Sequence, residues 1–215
     1  MQSTDPRQSI LSIVKRLEDD GYNLASTGNV SCRDQGGVLI TPTGGHSGNL
    51  TPERIVRIDA DGKVQGEGAP SSEWSMHTAI LKAFPEANAV IHTHADSCVV
   101  LSSLGKSIPA FHYMLAGFGG NSIRCSRYAT FGTADLGDAA VEAMRDRRAC
   151  LLANHGMVVA GQSLEAALSL VIKLETLARQ YLMACQAGEP MIIPDDEMER
   201  VLDRYGKYGR TSLPH

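Results

Sequence analysis

Two spacings of apolar residues, one helical and one extended, succeed each other along the chain. Ile10, Ile13, Val14 and Leu17 recur at helical spacing behind Asp5 and Pro6, an N-cap and first-turn pair, and Gly21 stands where such a helix closes. Short extended segments are predicted over 38–41 and 57–60, the second turning back onto Val64 through Asp61-Gly62. A helix is predicted from Ser71 or Ser72 to the residue before Pro85, then a buried strand over 87–93 and a helix over 95–104. Residues 123–129 read as extended, Thr133 as the cap of a helix reaching Arg145, and 150–153 as an apolar strand that stops at Asn154-His155-Gly156, with Gly156 at the bend. The longest helical pattern, over 163–186, shows a wide apolar face including Leu164, Leu168, Val171, Leu174 and Tyr181, and a last short helix follows Pro194.

No repeat period, low-complexity tract or charge block interrupts this mixture, so one compact α/β domain spanning residues 1–215 is expected. A chain this long buries roughly 70% of its unfolded surface, so it needs no disulfide or structural metal to fold. Any metal is therefore expected to serve chemistry. With 20 Lys+Arg against 24 Asp+Glu, a formal charge of −4 and no cationic cluster, nucleic acid is not an expected partner. No apolar run approaches the roughly 20 residues that span a bilayer, and the amino-terminal segment lacks the regions of a secretory signal, so a cytoplasmic location is expected. The five cysteines are odd in number and widely spaced, which fits reduced thiols.

Candidate chemistry gathers at the predicted element ends. His92-Thr93-His94 closes an apolar strand, and side chains two apart on a strand share a face, so both imidazoles can reach one ion. The competing reading is two unrelated histidines at a strand terminus. His155, at another strand-to-loop junction, offers a third imidazole, and Glu73, at a helix start, an oxygen ligand, although a first-turn carboxylate often only complements the helix dipole. Three neutral imidazoles and one carboxylate suit Zn²⁺ and leave a net charge of about +1 to polarise an oxyanion. Ser71 and Ser72 place hydroxyls and free N–H groups at that helix entrance, a seat for phosphate. The turns Ser26-Thr27-Gly28-Asn29 and Thr41-Pro42-Thr43-Gly44-Gly45 offer the same hydroxyl, amide and glycine chemistry, though such residues also mark ordinary turns. Tyr113, taken alone, reads as an amphipathic packing residue.

Assembled in order, these motifs resemble the class II aldolase/adducin family. The resemblance runs from Asn23 through Glu189 and takes in Thr27-Gly28-Asn29-Val30-Ser31, Leu39-Ile40-Thr41-Pro42-Thr43-Gly44, Pro70-Ser71-Ser72-Glu73-Trp74 and Asn88-Ala89-Val90-Ile91-His92-Thr93-His94. It continues through Ile108-Pro109-Ala110, His112-Tyr113-Met114, Tyr128-Ala129-Thr130-Phe131-Gly132-Thr133 and His155-Gly156. It implies a three-layer α/β/α sandwich around a mainly antiparallel sheet, with a catalytic zinc on Glu73, His92, His94 and His155. It also implies a substrate-phosphate site at Ser26, Gly28, Asn29, Thr43, Gly44, Ser71 and Ser72, and a catalytic tyrosine, Tyr113, contributed across a subunit interface of a ring-shaped homotetramer. Ser26 stands where the family's sugar-phosphate aldolases usually carry threonine, Thr93 where they carry asparagine and Arg127 where they carry proline, while Tyr208 resembles a tail tyrosine that covers the aldehyde end.

The activity implied by the resemblance is reversible cleavage of a ketose 1-phosphate to dihydroxyacetone phosphate and an aldehyde. Glu73 would carry the C3 proton and Tyr113 the alkoxide proton. The substrate is either fuculose-1-phosphate-like or a deoxy- or methylthio-pentulose 1-phosphate, and Mn²⁺ or Co²⁺ can replace zinc on these ligands. The alternatives are a sugar-phosphate 4-epimerase of the same family, a metal-dependent phosphate-ester hydrolase, and an adducin-like binding module with no chemistry.

Overall fold

The computed structural model describes residues 5–66 and 68–207. Its centre is a seven-stranded sheet of β1 (Asn29–Asp34), β2 (Gly37–Ile40), β3 (Val56–Ile58), β4 (Val64–Gln65), β5 (Ala89–Thr93), β6 (Ala149–Leu152) and β7 (Gly156–Gly161). The spatial order is β4-β3-β2-β1-β5-β7-β6, and every paired strand is antiparallel to its neighbour. The helices are α1 (Pro6–Asp19), α2 (Trp74–Ala83), α3 (Asp96–Ser103), α4 (Ala134–Ala143), α5 (Leu164–Ala187) and α6 (Asp195–Lys207), with single 3₁₀ turns at Pro52–Arg54 and Tyr113–Phe118.

Strand alternation sorts the core into two layers. Ala89 and Ile91 of β5, Met157 and Val159 of β7 and Ala149 and Leu151 of β6 pack with the apolar stripes of α1, α3 and α5. Their neighbours Val90, Val158, Ala160, Cys150 and Leu152 point the opposite way, onto Met76, Ile80 and Leu81 of α2 and Leu136, Ala139 and Ala140 of α4. The result is the three-layer sandwich with a mainly antiparallel sheet that the motifs imply. Every residue of β5 is buried, as expected of a strand covered by helices on both faces. Because His92 shares the parity of Val90, it faces the α2 side, at the end of the sheet where the chain leaves β5.

Most expected elements form with small shifts. Asp5 caps α1 by accepting from the Arg7 N–H, Gly21 follows the helix in the left-handed region at φ 76°, and Ser163 and Thr133 cap α5 and α4. The Ser71–Ser72 step precedes α2 as an entry turn, with the first helical residue at Trp74. Residues 123–129, expected as extended, form no strand and pair through isolated bridges at Ile123 and Cys125. The last helix has 13 residues, longer than its pattern implied. Tyr208 lies outside the described residues. Cys32, Cys98 and Cys150 are buried as small core side chains, and all five thiols are free.

Two strands correct the sequence expectation. β1 was not anticipated because Asn29 and Ser31 occupy one of its faces, yet both are buried against α2. Gly156 was expected at a bend, but the bend is at 153–155 and Gly156 opens β7, whose hydrogen-bonded partner is β5. A Cβ there would lie 2.4 Å from the Thr93 carbonyl oxygen, so the glycine permits a close backbone approach.

Two stability predictions follow from this packing. At Gly161 a Cβ would stand 2.5 Å from the Ala167 backbone nitrogen, so Gly161→Ala should lower stability by about 1–3 kcal/mol in a denaturant titration. Gly188→Ala, in open space and extended backbone at φ 163°, should stay within about 0.5 kcal/mol. The second concerns His77, fully buried on α2, whose imidazole burial pushes down to about 4. Above the unfolded value of about 6.5 both states are neutral and its contribution is constant. Between there and about 4 the unfolded chain takes a proton that the folded chain refuses. Stability should therefore fall with pH across this window, at up to about 1.4 kcal/mol per unit from this group, and His77→Gln should flatten the slope measured from pH 7 to 5.

Candidate active site

The sheet end beside α2 gathers four side chains from three separate segments. β5 supplies His92 as its penultimate residue, and His94 follows just past the strand. His155 comes from the turn joining β6 to β7, and Glu73 from the residue that caps α2. The three imidazoles stand edge to face, with centroids 4.7 to 4.9 Å apart, and one nitrogen of each lies within 4.8 Å of the others. Nε2 of His92 is 3.0 Å from Nε2 of His94 and 3.3 Å from Oε2 of Glu73, and Nε2 of His155 is 3.3 Å from Oε1 of Glu73.

The protonation states suit ligation. His92 bonds through Nδ1 to the Met157 carbonyl at 2.8 Å. In a neutral ring this makes Nδ1 the N–H donor and turns the Nε2 lone pair toward its companions. Burial, with His155 and His94 adding to it, pushes the His92 imidazole down to about 3 although Glu73 opposes. Burial and then His155 lower His94 as well. For Glu73, burial works to raise the carboxyl, but the facing His92 and the Asn29 amide outweigh it and hold it below its ordinary value. Glu73 is 6% exposed, and its Oε1 has no hydrogen-bond partner. A buried anion with one uncommitted oxygen, beside convergent imidazole nitrogens, is a donor set that fits a divalent cation.

Every residue expected to seat a phosphate opens onto the same cleft, which encloses about 430 Å³. Ser26, Gly28, Asn29, Thr43, Gly44, Ser71 and Ser72 line it together with Glu73, His94 and His155, while His92 lies behind them, wholly buried. The loops are stitched to one another. The Ser71 N–H donates to the Thr41 carbonyl at 3.0 Å, the Thr43 hydroxyl to the Pro70 carbonyl at 2.7 Å, and the Glu73 N–H to the Ser71 hydroxyl at 3.3 Å. Gly28 sits at φ 74°, and a Cβ there would run into the Asn23 side chain at 2.4 Å, so this turn requires glycine. Asn29 departs from the simple expectation, because its side chain is 6% exposed and its Nδ2 donates to Oε2 of Glu73 at 2.9 Å.

Tyr113 is not among these residues. It is 53% exposed on the 3₁₀ turn and borders a different cleft, with Met114 and with Val201 and Arg204 of α6. Residues not singled out from the sequence also line the site. Tyr128 and Phe131 form an exposed aromatic rim, and Asn154 reaches the cleft from a left-handed backbone at φ 55°. The Tyr-Ala-Thr-Phe run and the Asn-His-Gly turn carried that signal. His77 supports the site from behind, and its spacing of four from Glu73 on one helix was the available cue.

Comparison with known proteins agrees with this geometry. The model of the Class II Aldolase and Adducin N-terminal domain matches residues 8–182. The chain is 48% identical over 209 residues to the 5-methylthioribulose-1-phosphate/5-deoxyribulose-1-phosphate aldolase of Rhodospirillum rubrum, covering 97% of this chain and 95% of that one. It is 45% identical over 190 residues to the L-fuculose phosphate aldolase of Escherichia coli, covering 88% of each. A solved structure of L-fuculose 1-phosphate aldolase superposes with a TM-score of 0.91 at 37% identity, covering 96% of this chain and 98% of that one. The chain therefore belongs to the class II aldolase and adducin family and is one of its aldolases.

Proposed function

We propose that this aldolase reversibly cleaves a ketose 1-phosphate to dihydroxyacetone phosphate and an aldehyde, with a divalent cation, zinc by preference, held by Glu73, His92, His94 and His155. The observation that carries the reading is the single cleft in which these side chains adjoin a cradle of hydroxyls, glycines and a helix entrance. Such a cradle fits a phosphate without a cationic side chain, in keeping with the net charge of −4. The names of the relatives point the same way, since deoxyribulose 1-phosphate, methylthioribulose 1-phosphate and fuculose 1-phosphate all carry a phosphate on C1.

A bound divalent cation supplies Lewis acidity, drawing electron density from the carbonyl and hydroxyl oxygens of the substrate. The chain's own residues do the remainder. Ser26, Ser71 and Ser72, with the backbone of Gly28 and Gly44 and with Thr43 once its hydroxyl turns from the Pro70 carbonyl, hold the phosphate and fix C3 over Glu73. In cleavage, Tyr113 of a neighbouring copy takes the C4 hydroxyl proton. The O–H electrons become the aldehyde C=O, the C3–C4 bond breaks, and Glu73, which enters this direction protonated with Tyr113 as phenolate, the states that synthesis leaves, delivers its proton to the electron pair left on C3. In synthesis Glu73 removes that proton and Tyr113 protonates the new alkoxide. Tyr113 needs a second copy because it stands outside its own chain's cleft, which a homotetramer with sites between subunits accommodates.

Four outcomes test the reading. Glu73→Gln should slow exchange of the C3 proton of dihydroxyacetone phosphate, followed by deuterium wash-in, by roughly 10²–10⁴-fold, and full retention of exchange contradicts the role. Dialysis against a strong chelator should abolish cleavage and zinc should restore it. Release of inorganic phosphate, or of a C4 epimer without aldehyde, would instead select the hydrolase or the epimerase. Finally, inactive Glu73→Gln and Tyr113→Phe variants, unfolded and reassembled together, should regain about a quarter of wild-type activity if Tyr113 acts across an interface, and none if it acts within one chain.

A further inference from the structure

Behind the cleft, β1 and α2 face each other through four polar side chains that have no contact with bulk solvent beyond a few per cent. Asn29 and Ser31, two apart on β1, share one face, and Glu73 and His77, four apart at the head of α2, share the facing one. The hydrogen bonds alternate between the elements. Ser31 Oγ lies 2.7 Å from His77 Nδ1, His77 Nε2 lies 2.5 Å from Asn29 Oδ1, and Asn29 Nδ2 lies 2.9 Å from Glu73 Oε2.

Only one proton arrangement satisfies all three contacts. A carboxylate only accepts, so Asn29 must present its NH₂ to Glu73 and its carbonyl to His77. The carbonyl also only accepts, so His77 must carry its proton on Nε2. In the neutral ring Nδ1 is then an acceptor, and Ser31 must donate to it. The relay has one direction, from Ser31 to Glu73, and its last bond claims Oε2 while leaving Oε1 without a hydrogen-bond partner.

We infer that His77 is a positioning residue: its Nε2–H tautomer, set by Ser31, locks the Asn29 amide so that the NH₂ holds the Glu73 carboxylate in one orientation. This inference rests on the reading of Glu73 as a cation ligand and proton carrier. His77 touches neither cleft nor imidazole cluster. Without its donor, the Asn29 amide is free to turn its carbonyl toward the carboxylate, where two acceptors repel. Glu73 would then lose the orientation that both ligation and proton transfer need.

The test compares His77→Leu, which fills the space without a donor, with His77→Gln, whose amide can still donate to Asn29, and with Ser31→Ala, which removes the hydroxyl that selects the tautomer. His77→Leu should weaken zinc affinity, measured by competition with a chromophoric chelator, by about 10- to 100-fold, and lower kcat by a similar factor with little change in KM. His77→Gln should recover most of both, and Ser31→Ala should fall between wild type and His77→Leu. Unchanged zinc affinity in a folded His77→Leu variant, or a His77→Gln variant as impaired as His77→Leu, overturns the inference. Nitrogen NMR of the wild-type chain provides an arm that no folding defect can obscure: His77 should be the Nε2–H tautomer at neutral pH, and an Nδ1–H assignment overturns the relay. Zinc affinity and tautomer need no turnover, so a wild type that binds zinc but cleaves no ketose 1-phosphate sinks the proposed function while the His77 result still stands or falls on its own.

Discussion

The structure depends on keeping one carboxylate charged where water is nearly excluded. An ionised group buried without compensation costs several kcal/mol, so the Glu73 anion has to be met by fixed partners. Asn29 meets one oxygen, and the imidazoles of His92 and His155 stand beside the two oxygens. These residues come from β1, β5, the β6–β7 turn and the head of α2, which span positions 29 to 155 of the chain. Placing them within hydrogen-bond range requires the strand order β1-β5-β7, in which the hydrogen-bonded neighbours bring Asn29 opposite His92 and Thr93 opposite Met157. The close backbone approach at Gly156 belongs to the same requirement, since any Cβ there would push β7 off the end of β5.

How much of this is legible in the chain depends on what each residue's neighbours are in sequence. The helices with apolar stripes, α1 and α5, and the core strand β5, which opens on Ala89, Val90 and Ile91, follow from periodicity because their burial is written in their own residues. The imidazoles and the carboxylate of the candidate site are legible for a related reason: histidines and an acid at element ends stand out against apolar surroundings. β1 is different. Its outward-looking polar positions, Asn29 and Ser31, are buried because α2 offers them His77 and Glu73, a partner that local pattern does not contain. His77 was lost with it, since a histidine inside a helix is explained by core packing until the strand across from it is known.

The cleft also divides by stiffness and by chemistry. The Ser-, Thr- and Gly-bearing loops are tied to each other by backbone and hydroxyl bonds between Thr41, Thr43, Pro70 and Ser71, which leaves little freedom in their relative position. Another part of the rim is aromatic and exposed, formed by Tyr128 and Phe131, which are 63% and 66% accessible. Large apolar side chains left open to water in this way are not explained by packing within the chain. Under the proposed function, a polar seat tied by hydrogen bonds would suit the phosphate end of a substrate and an exposed aromatic rim its aldehyde end.

That division bears on how such a site can change substrate without losing its chemistry. The groups that would carry the reaction are anchored on the end of β5, the head of α2 and the turn before β7, all three fixed by the sheet and by the buried relay through Asn29 and His77. Changes at Tyr128 and Phe131 touch none of these anchors, so they can reshape the cleft at small cost to the geometry of Glu73 and the imidazoles. A change at Ser31 or His77 does the opposite. It alters no surface that a substrate meets, yet it acts on the one carboxylate whose orientation the rest of the site assumes. Distance from the cleft is thus a poor guide to importance here, and the direction of the buried hydrogen bonds is a better one.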